Sequence, residues 1–216
     1  MVFAGRGQET ARILAALAAG RNVVITGKFG MGKTALAHHV AEQAGPGWRF
    51  LFASASQTPA EICRAAFLQL ESGRRRPARP GRGSSRYLTL RARLAAAARQ
   101  PAAPVLVLDD VARITAPKAA LVRHLAEAGF RLIVIPDRGL PGGDWRRVSI
   151  WVEPMEKVPL GPLSPGAATA YLLRAAERHG LEWSAQRIAW LVRAAGGYPL
   201  RLQEIATREL SRARGR

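Results

Sequence analysis

Gly27-Lys28-Phe29-Gly30-Met31-Gly32-Lys33-Thr34 is the stretch on which the reading of this 216-residue chain turns. It satisfies the spacing G-x-x-x-x-G-K-[ST] at every required position. Immediately before it, Asn22-Val23-Val24-Ile25-Thr26 is a short β-branched run suited to a buried parallel strand. Immediately after it, the spacing predicts a helix over about 33–44, with Leu36 and Val40 four apart on the buried side and Gly45-Pro46-Gly47 as its stop. A strand that bends through glycines into a helix lets several backbone N–H groups converge on one anion, and the helix adds the positive end of its dipole. The pattern therefore predicts a phosphate cradle over residues 27–35, from Gly27 through Ala35, with Lys33 reaching the β- and γ-phosphates of a nucleoside triphosphate. The Thr34 hydroxyl is placed to ligate magnesium.

Outward from the cradle, the chain alternates strand and helix. A helix over the first twenty residues, with Ile13, Leu14 and Leu17 on one face, ends at Gly20. A second strand is expected over 48–55, and Thr58-Pro59-Ala60-Glu61 opens a helix with a threonine cap, proline at the first position and glutamate three residues after the cap. Further helices are expected over 84–99 and 118–128, and apolar strands over 104–111 and 131–136. A fifth strand is expected over 148–152, extended through Val158 and Leu160. Beyond Pro162 the pattern is helical only: 164–179 after a Ser164-Pro165 start, 184–195, and 199–213, with Gly180 and Gly196 at helix ends. The fold class is therefore α/β, a five-stranded parallel sheet flanked by helices over 1–162 with a small helical lid over 163–216. The strand Val105-Leu106-Val107-Leu108 delivers Asp109 and Asp110 at its end. Asp109 is placed to hold magnesium through water, and Asp110 to polarise an attacking water.

Composition excludes several classes. No apolar run approaches the length of a bilayer span, and residues 1–7 lack the start of a secretory signal, so a cytoplasmic, non-membrane protein is expected. Cys63, the single cysteine, falls in an apolar helical pattern and reads as a small buried hydrophobe. His38 and His39 point in different directions on one helix and cannot chelate one metal, and His124 and His179 lack a visible partner. The charge is unbalanced: 33 Lys plus Arg stand against 15 Asp plus Glu, a formal net charge of +18. A codon bias toward Arg explains Arg over Lys, but not the shortage of acids, so a polyanionic partner is expected.

The chain resembles the AAA+ and STAND branch of P-loop ATPases over nearly all its length. Gly5-Arg6-Gly7-Gln8-Glu9 is similar to the Gly-Arg-x-x-Glu signature of these families, which packs near the adenine. Val107-Leu108-Asp109-Asp110-Val111 resembles a STAND Walker B strand, and Gly196-Gly197-Tyr198-Pro199-Leu200 resembles the Gly-x-Pro element of the lid. The resemblance implies ATP as the nucleotide, since the cradle alone reads only phosphates. It also implies that Tyr198 and Pro199 close over base or ribose. Arg201 stands at the sensor 2 position or is a surface arginine, and Arg138, after Asp137, stands at sensor 1. A homo-oligomer is implied as well, with Arg146 or Arg147 as the finger reaching a neighbour's γ-phosphate. Where many relatives carry glutamate, this chain has Asp110, roughly 1.5 Å shorter in reach, so slow hydrolysis is expected.

Compact basic ATPases of this build resemble the accessory proteins of transposons, with replication initiators and helicase loaders close in shape. That likeness implies a DNA-binding regulator of transposition or target selection, with a transposase as a possible partner. The alternative is a STAND-type switch acting on a protein. A small-molecule kinase is disfavoured, because no substrate-lid residues stand out. The loop over 72–85 carries Arg74, Arg75, Arg76, Arg79 and Arg82 among Pro and Gly, followed by Arg86, Arg91 and Arg93. Two readings of it stand: phosphate contacts without base readout, or a solvated disordered loop.

Overall fold

The computed structural model describes residues 3–72, 84–99, 102–137 and 142–214. Helix α1 (Gly7–Ala18) leads into β1 (Asn22–Gly27), α2 (Lys33–Gln43), β2 (Trp48–Ser54), α3 (Pro59–Glu71) and α4 (Ser84–Ala97). Next come β3 (Ala103–Val111), α5 (Ala116–Glu127), β4 (Arg131–Pro136), α6 (Gly142–Val152) and β5 (Met155–Leu160). Three helices end the chain: α7 (Pro165–His179), α8 (Ala185–Ala195) and α9 (Pro199–Arg214). All five strands pair in parallel in the order β2-β3-β4-β1-β5.

The period-2 geometry of a strand explains how one sheet feeds two cores. Val24, Leu106, Leu108, Leu132 and Val134 face a cluster built with α3, α4 and α5. Their neighbours Val23, Ile25, Val105, Val107, Ile133 and Ile135 face the opposite cluster, built with α1 and α2. Buried Asn22 ties three elements: its Nδ2 donates to the Val152 carbonyl at 3.0 Å and its Oδ1 accepts the Leu132 N–H at 2.9 Å. A third cluster, centred on Leu172, Leu191 and Leu202, belongs to α7, α8 and α9.

Local start signals are realised. Thr58 and Glu61 form a reciprocal capping box, and the hydrogen bonds from Thr58 hold the Glu61 carboxyl below its ordinary range. Ser164 and Ser184 cap α7 and α8 by accepting the Ala167 and Arg187 N–H groups. One expectation is corrected. Residues 148–152, expected as a strand, are the last turns of α6, and β5 starts at Met155. The run is rich in β-branched and aromatic residues, but Trp145 and Val152 lie seven apart and both pack into the first cluster, the spacing of two helical turns. Burial of that face outweighs β-propensity.

Candidate nucleotide site

β1 ends at the loop that carries the quoted motif, at the edge where the parallel strands present their C-terminal ends. Gly32 is the N-cap of α2, in a left-handed conformation and without a side-chain cap, so the first amides of the helix keep no side-chain acceptor. Lys33 folds back over the loop, and its Nζ donates to the Gly27 carbonyl at 3.0 Å. From the first turn of α2, the Thr34 hydroxyl donates to Asp109 Oδ2 at 2.5 Å, a link across 75 residues. The motif and the end of β3 therefore form one site.

Asp109 and Asp110 owe their arrangement to a bulge. The β3–β4 register runs Leu108↔Val134 and then Val111↔Pro136, so β3 carries one extra residue there. Asp110 takes it up with a left-handed φ of 54°, and its N–H donates to Asp109 Oδ1 at 2.8 Å. Burial, then the nearby Asp109 and Asp137 carboxylates, raise the Asp110 pKa above the ordinary Asp value, while Lys33 opposes them. The bulge thus sets Asp110 apart from the regular strand, within electrostatic reach of Lys33.

These groups fit a magnesium–triphosphate complex. Thr34 and Asp109 offer hard oxygen donors side by side, and the uncapped α2 amides with Lys33 suit phosphate oxygens. Among the described residues no group of three His, Cys, Asp or Glu side chains could hold a metal unaided.

Helix α9 meets the loop directly. The Leu200 N–H donates to the Gly30 carbonyl at 3.1 Å, and a Cβ on Gly30, whose φ is 78°, would lie 2.8 Å from Leu200 Cβ. Pro199 lies beside Gly32, and Tyr198 packs into the cluster under the loop. Arg201 is exposed, with its guanidinium 5.4 Å from the Tyr198 ring centre.

Two residues make contacts that the sequence did not specify, Arg6 within the signature segment and Leu200 of α9. The Arg6 side chain, only 7% exposed, pairs with Glu9 at 2.9 Å and donates to the Gly161 carbonyl at 2.5 Å, joining α1 to the segment that leads into α7. It also lies 3.5 Å from the Met31 carbonyl of the loop. Its signal was the i,i+3 spacing of Arg6 and Glu9 in the Gly-Arg-x-x-Glu signature. Leu200 gave no signal beyond its place after Tyr198-Pro199.

Among the remaining expected residues, Lys28, Phe29 and Met31 lie in the loop, with Phe29 63% exposed and Met31 buried. Ala35 lies in the first turn of α2. Arg146 is exposed on α6. The side chains of Arg147 and Arg86 lie outside the described residues, as do Arg138 and all of Arg74, Arg75, Arg76, Arg79 and Arg82. Burial pushes the Cys63 thiol up to about 12, in keeping with a buried hydrophobe. His38 and His39 stack on Phe52 and Phe3, each at 4.0 Å. Among the described residues, no helix is long and apolar enough to cross a membrane.

Three solved structures share this architecture. A Walker-type ATPase of Pyrococcus abyssi superposes with a TM-score of 0.66 at 15% identity, over 92% of this chain and 65% of that one. The Orc1 protein of Aeropyrum pernix, in complex with DNA, gives 0.55 at 19%, over 96% and 62%. The replication initiator DnaA, bound to AMPPCP and single-stranded DNA, gives 0.60 at 19%, over 94% and 60%. Likeness at these identities is likeness of fold, and the chain spans between 60% and 65% of the length of these structures. No curated protein sequence matches it. In sequence, residues 2–135 match the family model described as AAA ATPase domain. That match takes in the loop, the Asp109 strand and the sheet between them, and on that ground the chain belongs to the AAA ATPase family.

Proposed function

We propose that this AAA+ ATPase binds ATP with Mg2+ in the cradle from Gly27 to Ala35, hydrolyses it slowly, and as a homo-oligomer binds DNA without sequence preference. The observation that carries the nucleotide reading is the hydrogen bond from Thr34 to Asp109 beside Lys33, which joins the phosphate loop to the acidic strand end. Magnesium, when bound, would neutralise phosphate charge. Lys33 and the α2 amides would orient the triphosphate, Thr34 and Asp109 would hold the ion, and Asp110 would align the attacking water. Tyr198 and Pro199 would border the base or ribose, with Arg201 beside them. Arg138 would sense the γ-phosphate, and Arg146 or Arg147 would reach a neighbouring subunit's site.

The net charge of +18 supports the DNA reading, with Arg74, Arg75, Arg76, Arg79, Arg82 and Arg86 assigned to phosphates. The role that fits best is a cytoplasmic regulator of transposition or target selection, with a transposase as partner. A replication-initiator-like role is the second reading, favoured by the fold shared with DNA-bound Orc1 and with DnaA on single-stranded DNA. Filter binding of random-sequence duplex, with and without ATP across a salt series, tests the proposal. ATP-strengthened binding that weakens steeply with salt is expected. Binding absent at low salt, with nucleotide-controlled association to a protein instead, would turn the reading to a STAND-type switch.

A further inference from the structure

A groove of about 330 Å³ opens between α4 and α5, lined by Leu88, Arg91, Ala92, Ala96, Arg99 and His124, among others. It lies away from the nucleotide site. α4 and α5 both end where β3 and β4 begin, whereas Asp109 stands six residues farther along β3, on the order of 20 Å at about 3.3 Å per residue. Every charged side chain in its lining is cationic. Among the described residues neither Arg91 nor Arg99 has a carboxylate partner, unlike Arg6 with Glu9, Arg12 and Arg21 with Glu156, and Arg187 with Glu209. His124 Nε2, at the groove, is buried and has no hydrogen-bond partner. The arrangement leaves three nitrogen groups to be satisfied by whatever enters.

We propose that this groove is a phosphodiester-backbone site, where Arg91 and Arg99 pair with phosphates of one DNA strand and His124 Nε2–H donates beside them. The inference rests on the DNA reading above and gives it an address in the fold. Arg91 lies on α4 and Arg99 two residues past its end, so the groove offers two separate cations to successive phosphates of one strand. Leu88, Ala92 and Ala96 form an apolar floor against which deoxyribose can pack. α4 itself holds Arg86, Arg91 and Arg93 and no acid, which favours a polyanion of regular spacing. Arg93, expected from sequence to contact phosphates, lies over the Phe67 ring at 5.6 Å and is not assigned to the groove.

The test measures binding of a random-sequence DNA duplex to wild type, R91A/R99A and R93A across a salt series. Matched thermal melts and nucleotide binding control for folding. Loss of both groove arginines is expected to make the slope of log K against log salt shallower by about 2, roughly 1 per phosphate contact, and R93A to leave it unchanged. His124→Ala is expected to weaken binding without changing the slope. Where wild type binds DNA and R91A/R99A keeps the same slope, the groove proposal falls alone and an acidic protein segment becomes the better occupant. Where wild type shows no affinity for the duplex, the DNA reading falls and takes the groove proposal with it.

Discussion

At the edge of the sheet that carries the phosphate loop, polar groups meet partners that the fold itself supplies. Lys33 rests on a loop carbonyl, Thr34 on Asp109, and Arg6 on Glu9 and the Gly161 carbonyl ahead of α7. On α4 and just past its end the same residue type stands differently: Arg91 and Arg99 line an open groove with no carboxylate beside them among the described residues. The contrast teaches that an arginine's identity says little until its partner is known. A buried, paired arginine holds architecture, and removing it leaves its partners unsatisfied. An unpaired one on a helix face is available to a ligand at little cost to stability.

Substitutions can break this contrast from either end. The largest effect is expected at Asp110, the residue that the β3 bulge takes up. Asp110→Asn should lower kcat for ATP hydrolysis by about a hundredfold while ATP binding persists, and Asp110→Glu should restore or raise it. Steady-state phosphate release checks both, and an Asp110→Asn enzyme with full kcat would remove Asp110 from the chemistry. Next is Gly30→Ala, which sets a Cβ into a left-handed position and against Leu200. A loss of about 2–4 kcal/mol in denaturant unfolding is expected, because strain and overpacking act together. A neutral result would mean that the contact between α9 and the loop is loose. Smaller again, Arg6→Ala should cost about 1–3 kcal/mol, through the orphaned Glu9 and backbone carbonyls. An Arg6→Ala protein as stable as wild type would erase the distinction between paired and unpaired arginines.

The contrast also marks how far the sequence could be read. The loop was legible because its chemistry is local: glycines, lysine and threonine at fixed spacing between a β-branched run and a helix. The Thr58 and Ser164 caps were legible for the same reason. The Asp110 bulge was not, since a pair of aspartates ends a strand equally well with or without an extra residue, and only the β4 register decides. α6 was misread because Val148 to Val152 satisfies strand propensity, while what selects the helix is a core contact of Trp145 and Val152 made by distant elements. Leu200 meets Gly30 across 170 residues, beyond the reach of any spacing rule. His124, read as lacking a partner, proved to line a groove whose existence depends on two helices packing side by side.

The central claim is that the Gly27–Thr34 loop, closed by Asp109, holds a triphosphate. Calorimetric titration of Mg-ATP into wild type and Lys33→Ala measures it most directly. The account predicts an affinity loss of about a hundredfold, roughly 2.7 kcal/mol, with an unchanged melting temperature for the nucleotide-free protein. Equal Kd values for the two proteins would contradict it.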